Sequence, residues 1–216
     1  MKVGTDGVLL GSWCDVLHAS RVLDVGTGCG LIALMVAQRN SISIVDAIDI
    51  DVASVGQAAE NFKKSPWSER LNAINADYCT FECTNKYDLI VSNPPFFTNG
   101  VLSPNEVRRN ARHTQSLTFE QLIVKSKSIL TDAGILSIVT PVDAYKDILD
   151  ICMANGLFVS KICKVYPMLN LPVKRLLWNI LMTPTKTICN DLVIEASPGN
   201  YSDDFINLCR DFYLKF

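Results

Sequence analysis

Histidine is scarce in this chain, with two in 216 residues. His18 and His113 stand too far apart in sequence to suggest a pair, and neither is assigned proton transfer. Long apolar runs are missing as well. The longest, Leu31 to Ala37, is far short of the roughly 20 residues a membrane span needs, and no signal peptide is visible. A membrane partner is not expected. Nor is there an excess of positive charge: 20 Lys and Arg against 22 Asp and Glu give a formal net charge of −2. That balance argues against a non-specific nucleic-acid binder, although a local basic face remains compatible with it. Metal-ligand spacing is absent among the eight cysteines. Only Cys79 and Cys83 are close, with no histidine or second cysteine pair beside them, so neither a zinc site nor a disulfide framework is expected. Cysteines inside apolar segments behave as small hydrophobes, and their free use suits a reducing cytoplasm.

What is present is an ordered alternation. With 49% apolar residues the chain can bury a full core. Strand-like runs at Arg21–Val25, Ser43–Ile50, Leu71–Asn75, Tyr87–Ser92, Ile135–Thr140 and Phe158–Tyr166 alternate with helix-like ones. The helices fall near Leu31–Arg39, Val52–Lys64, Phe119–Leu130 and Ala144–Ala154. Nearly continuous apolar strands of this kind belong to a parallel α/β sheet covered on both faces. After Tyr166 the pattern predicts an antiparallel finish, with strands Arg175–Met182 and Asp191–Ala196 and a short helix Ser202–Arg210. With no internal repeat, low-complexity tract or linker, one domain over residues 1–216 is expected.

Two segments carry the chemistry. The first is Asp24-Val25-Gly26-Thr27-Gly28-Cys29-Gly30, a glycine-rich turn between a strand and a helix. Glycine serves where the chain turns sharply and a ligand approaches the backbone. The Gly-x-Gly-x-Gly spacing of Gly26, Gly28 and Gly30 differs from the Gly-x-Gly-x-x-Gly that seats a dinucleotide pyrophosphate. Asp24, ahead of the turn, would repel a diphosphate and attract an ammonium. S-adenosylmethionine, with both an ammonium and a carboxylate, fits better than NAD. Asp49 ends the next strand at the distance usual for a carboxylate gripping ribose hydroxyls, Asp51 reads as a helix N-cap, and Asp77 is positioned to accept from the cofactor's adenine amine.

The second segment is Asn93-Pro94-Pro95-Phe96, directly after the strand Tyr87–Ser92. The Asn93 side-chain oxygen and the Pro94 carbonyl can each accept one N–H of a planar NH2 group. The nitrogen is then held with its lone pair aimed at a methyl donor. The prolines lack N–H donors and keep the turn rigid. Phe96 offers a stacking face worth roughly 1–3 kcal/mol. A cofactor cradle and an amine clamp at the ends of neighbouring strands imply methyl transfer.

Three segments give the chain a specific resemblance: Met1-Lys2-Val3-Gly4-Thr5-Asp6-Gly7-Val8-Leu9-Leu10-Gly11-Ser12-Trp13; Asn93 to Phe96 with Arg108-Arg109-Asn110-Ala111-Arg112-His113-Thr114; and Asn200-Tyr201-Ser202 through Phe212-Tyr213-Leu214. Together they resemble the bacterial tRNA1(Val) (adenine-37-N6)-methyltransferases, within the class I S-adenosylmethionine-dependent enzymes. The resemblance spans nearly the whole chain. It implies a Rossmann-like, seven-stranded class I methyltransferase sheet with helices on both faces and an antiparallel C-terminal strand. It also implies S-adenosyl-L-methionine as cofactor, with Lys2, Gly4, Thr5 and Asp6 beside its methionine end. Family members usually carry a further segment ahead of the Lys-Val-Gly-Thr-Asp motif, whereas this chain starts at the motif, either clipped or without that segment. Some relatives have tyrosine where Phe96 stands, and some rRNA guanine-N2 methyltransferases also use Asn-Pro-Pro-Phe.

The implied partner is the anticodon loop of a valine tRNA, where splayed bases are cheaper to capture than stacked ones. No obligate protein partner is evident. Arg108, Arg109 and Arg112 follow the clamp and are candidates for phosphate contact, with Lys174 and Arg175 as further ones; a solvated loop face is the alternative for each. Other Asn-Pro-Pro enzymes, acting on rRNA guanine, DNA adenine or a protein glutamine, are the rival readings, and a catalytically silent RNA-binding protein is the rival from another class.

Overall fold

The computed structural model describes residues 4–94 and 117–214. Helix α1 (Thr5–Trp13) opens the chain. It is followed by β1 (Arg21–Val25), α2 (Leu31–Arg39), β2 (Ile44–Asp49), α3 (Val52–Lys64), β3 (Leu71–Asn75) and β4 (Tyr87–Ser92). Then come α4 (Phe119–Ile129), β5 (Leu130–Pro141), α5 (Tyr145–Ala154), β6 (Phe158–Met168), β7 (Arg175–Leu181), β8 (Ile188–Ser197), β9 (Asn200–Tyr201) and α6 (Asp203–Cys209). Among the described residues no helix is long and apolar enough to cross a membrane.

One sheet runs in the order β3-β2-β1-β4-β5-β7-β6-β8-β9. Strands β1 to β5 are mutually parallel, and β7 lies antiparallel between β5 and β6. Among the described residues the sheet therefore has nine strands rather than the expected seven. The expected antiparallel finish holds for β7, but β8 runs parallel to β6. The reason is topological: β7 turns back from β6, and the chain then crosses β6 to reach its other side. There β8 covers the long backbone edge that β6 would otherwise expose, and the two-residue β9 pairs only with the end of β8, at Glu195 and Ser197.

Successive strand residues serve opposite cores, as a pleated strand requires. Val22, Val45, Leu89, Val91 and Leu177 pack with α1, α2, α3 and α6, whereas Leu23, Ile48, Ile90, Ile138 and Trp178 pack with α4 and α5. Side-chain caps mark the starts of α3 and α4. Asp51 accepts from the Ala53 and Ser54 amides at the start of α3, and Thr118 with Gln121 forms a capping box on α4. Asp46 is buried and accepts from Arg21, Tyr87 and Asn72. With every one of those donors held by a strand, this acid is structural.

Gly30 shows why the first helix pair needs glycine. Its φ is +83°, and a Cβ there would stand 2.4 Å from Cε1 of Phe62 in α3. Gly26 has φ +71° but nothing within 4 Å of the same position. Both Gly30→Ala and Gly26→Ala carry the left-handed penalty of about 1–2 kcal/mol. Only the first also crowds a core ring, so Gly30→Ala is expected to lower the thermal midpoint further than Gly26→Ala. Equal midpoints would show that Phe62 yields freely.

Candidate active site

The glycine turn is fastened to the sheet from three sides. The amides of Gly26 and Thr27 both donate to the Ile48 carbonyl at the end of β2, at 2.9 and 3.0 Å. The Gly28 amide donates to Oδ2 of Asp49 at 2.9 Å, and Asn61 of α3 donates to the Cys29 carbonyl at 2.8 Å. Gly26, Gly28 and Gly30 all have positive φ, so three left-handed residues are packed into five positions. Side chains are excluded there, and the space over Gly26 is open.

Asp24 does more for the fold than its place in the sequence suggested. It is 1% exposed. Its Oδ2 accepts from Oγ1 of Thr27 at 2.6 Å and from the Ala33 amide at 3.1 Å. It thus caps α2 from the strand, since the N-cap residue Gly30 has no side chain to do so. The other oxygen, Oδ1, is buried with no hydrogen-bond partner. Burial is the main cause that pushes this carboxyl up from 3.8 to about 7, against the pull of the Thr27 and Ala33 hydrogen bonds. A raised folded pKa makes the native state hold the proton more tightly than the unfolded chain. That contribution to stability is full below about pH 4 and is lost as pH rises through about 7. In Asp24→Asn this component is expected to vanish, so the midpoint difference between variant and parent grows in the variant's favour from pH 4 to pH 8. Parallel pH profiles would show that Asp24 does not titrate there.

Asp49 is half-buried, with Oδ2 on the Gly28 amide and Oδ1 on the Asp51 amide, both at 2.9 Å. It is flanked by Ile50, an apolar residue left 47% exposed, whose carbonyl accepts from Asn75. Ile50 escaped the sequence reading, although an apolar residue between two acids at a strand end was the available signal. Asp77 is exposed, and its Oδ1 turns back to the Cys79 amide, a local turn that leaves a second oxygen.

Beside this half lies the clamp. Val25 and Ser92 are register partners on adjacent parallel strands, and Oγ of Ser92 donates to the Val25 carbonyl at 2.8 Å. The next residues, Gly26 and Asn93, therefore leave the sheet side by side, about one strand spacing of 4.8 Å apart. Asn93 is half-buried and Pro94 buried. The Asn93 amide nitrogen stands 3.9 Å from where a Cβ on Gly7 would be, so the bare flank of α1 passes over the carboxamide. Gly4 is the N-cap of α1 and Thr5 and Asp6 begin its first turn, with Gly4 and Thr5 exposed. Asp6, however, has a protein partner: its Oδ2 accepts from Nε of Arg175 at 2.8 Å, with both side chains 25% exposed. The structure thus turns one candidate RNA residue, Arg175, onto one candidate cofactor residue and clasps α1 to the start of β7. Lys174 is exposed at the same edge. Lys2, Phe96, Arg108, Arg109 and Arg112 lie outside the described residues.

S-adenosylmethionine fits what is there. The orphaned, buried Oδ1 of Asp24 suits an ammonium, the open space above Gly26 admits a ligand against the backbone, and Asp49 with Ile50 offers a carboxylate beside an apolar wall. Comparison with known proteins agrees. Residues 4–161 match the family described as the methyltransferase small domain. A predicted O-methyltransferase from Agrobacterium tumefaciens superposes with a TM-score of 0.73 at 19% identity, over 95% of this chain and 96% of that one. A ribosomal protein L11 methylase from Lactobacillus delbrueckii subsp. bulgaricus gives 0.57 at 18% identity, over 83% and 77%. At such identities these structures show the fold. Sheet order, glycine turn and family match together define a class I S-adenosylmethionine-dependent methyltransferase.

Relatives at higher identity narrow the class. The tRNA1(Val) (adenine(37)-N6)-methyltransferase of Bacteroides fragilis is 43% identical over 220 residues, covering 100% of this chain and 92% of the relative. That of Vibrio campbellii is 38% identical over 215 residues, covering 100% and 90%. The chain belongs to the tRNA1(Val) (adenine(37)-N6)-methyltransferase family.

Proposed function

We infer that this chain transfers a methyl group from S-adenosylmethionine to N6 of adenine 37 in the anticodon loop of tRNA1(Val), working as one domain in the cytoplasm. The observation that carries the reading is the register of Val25 with Ser92, through which the glycine turn and Asn93 emerge from adjacent strands. Full-length relatives of the same printed activity support the choice of RNA.

In this reading Gly26 and Gly28 let the donor lie against the backbone while Gly30 seats the turn against Phe62, Asp24 Oδ1 faces its ammonium, and Asp49 takes the ribose hydroxyls. Gly4 and Thr5 close the methionine end, and Asp77 uses its remaining acceptor for the adenine amine. When bound, the donor supplies a methyl on a positively charged sulfur, which departs as a neutral thioether. The work of the protein is done at the acceptor. The lone pair of an exocyclic amine is delocalised into its ring and attacks poorly. The Asn93 side-chain oxygen and the Pro94 carbonyl each accept one N–H, which fixes the nitrogen and directs its lone pair at the methyl. Phe96 stacks on the base. As the new N–C bond forms, the nitrogen becomes cationic and loses one proton to solvent. Both acceptors stabilise that developing charge, so positioning and electrostatics carry catalysis.

The test is methylation of unmodified tRNA beside rRNA, DNA and release factor, followed by nucleoside and peptide mass spectrometry. N6-methyladenosine confined to position 37 of the valine tRNA is the expected product. Methyl groups on guanine N2 or glutamine would transfer the chain to one of the other Asn-Pro-Pro chemistries.

A further inference from the structure

At the carboxyl end of β5 the chain leaves the sheet through the short 3-10 turn Val142–Ala144 and enters α5 at Tyr145. Tyr145 is 43% exposed. Its ring nevertheless rests on that of Trp178, with centroids 5.6 Å apart and planes tilted by 36°. Trp178 is fully buried, and its Nε1 donates to Oγ1 of Thr140 at 2.9 Å. The Tyr145 amide is tied to the Val142 carbonyl. Ile148 and Cys152, the buried residues of α5, continue the stripe that Tyr145 begins. The core therefore claims one side of the ring and leaves the rest to solvent, on a support that is itself pinned.

The location gives this ring a use. Ser92 pairs with Ile138, and Ile138 pairs with Trp178. Trp178 is thus two strand spacings, about 10 Å, from the residue before Asn93, on the side opposite the glycine turn. A base held by Asn93 brings its neighbours in the strand within reach of this side. Charge selects which part of a nucleotide meets the ring. Asp143 and Asp147 are exposed on either side of Tyr145 and disfavour a phosphate there. Among the described cations of this edge, Lys146 is paired with Asp150 and Arg175 with Asp6, while Lys174 in the β6–β7 turn is exposed. An uncharged base face over the ring, with its phosphate toward Lys174, satisfies both.

We propose that Tyr145 is a stacking platform for a nucleobase adjoining the target adenine, an inference that rests on the tRNA reading given above. Base–aromatic stacking is sequence-tolerant and is worth roughly 1–3 kcal/mol per base, so its loss is expected to weaken RNA binding at least about fivefold. The experiment titrates anticodon stem-loop RNA, carrying 2-aminopurine on one or the other side of the target adenine, into wild-type protein and into Tyr145→Phe and Tyr145→Leu. Wild type and the Phe variant are expected to quench one of the two probes and to bind alike. The Leu variant, which still covers Trp178, is expected to lose both the quenching and the affinity, while its S-adenosylhomocysteine affinity stays unchanged.

A Leu variant that binds and quenches like wild type overturns the inference. So does a wild-type complex that methylates the stem-loop but quenches neither probe, a result that needs no variant to fold. Wild-type protein that neither binds nor methylates the stem-loop overturns the tRNA reading, and this inference with it.

Discussion

Asn93→Ala is expected to lower the rate of methyl transfer at least about a hundredfold, the scale on which one preorganised partner of a developing charge acts. S-adenosylhomocysteine affinity should stay within a few-fold of wild type. In the proposed reading the two expectations separate because Asn93 faces the acceptor half of the site. The turn that faces the donor is held independently by Ile48, Asp49 and Asn61. Ser92 would still tie β4 to β1 in the variant, so the backbone at the clamp keeps its anchor. Pro94 alone then accepts from the amine, and the nitrogen is free to rotate its lone pair away from the methyl. The loss should appear in single-turnover rate at saturating RNA as well as in kcat/KM, because a positioning group acts on the bound complex. Calorimetry with S-adenosylhomocysteine and a thermal melt complete the measurement. Near-normal turnover in a folded variant would remove the clamp from the mechanism.

The parts of this site that were legible in the sequence are those whose chemistry is local. A strand followed by three alternating glycines announces a backbone shape within a few residues, and all three glycines have positive φ. Asp51 likewise reads as a cap from its neighbours alone, and it is one. Helix α1 was not legible as a helix. Gly4, Gly7 and Gly11 give its segment poor helical propensity, and it stands because α2, α6 and the sheet enclose it, with Gly11 passing tight against Met35. Its buried run from Gly7 to Ser12 carries no single apolar stripe to read.

The clasp between Asp6 and Arg175 joins residues 169 positions apart, and only the sheet order that sets β7 beside β5 brings them together. Strand β8 was legible as a strand, but its direction was not. Direction depends on which edge β7 leaves open, and β7 inserts between β5 and β6 instead of adding to the outside. Asp24 is an intermediate case. A helix whose N-cap is glycine needs an acceptor from elsewhere, and the buried acid at the end of β1 supplies it with one oxygen while the other has no hydrogen-bond partner.

Asp49→Ala is expected to weaken S-adenosylmethionine binding by roughly 1.5–3 kcal/mol, the range for lost hydrogen bonds to a charged group, or about 10- to 150-fold in Kd. Two effects contribute. The ribose loses its carboxylate, and the Gly28 and Asp51 amides lose the acceptor that holds each of them. The second effect loosens the turn itself, so some loss of stability without ligand accompanies the loss of affinity. Asp49→Asn distinguishes the two contributions. A carboxamide keeps one acceptor oxygen for an amide of the turn but presents donors where the ribose hydroxyls would give their protons. If ribose recognition dominates, the Asn variant should melt closer to wild type than the Ala variant does, yet bind the donor nearly as weakly. If the turn dominates, affinity and melting temperature should recover together in the Asn variant. An unchanged dissociation constant in both would mean that the ribose is held elsewhere, and Ile50 with the open face above Gly26 would then mark the cofactor's place without Asp49.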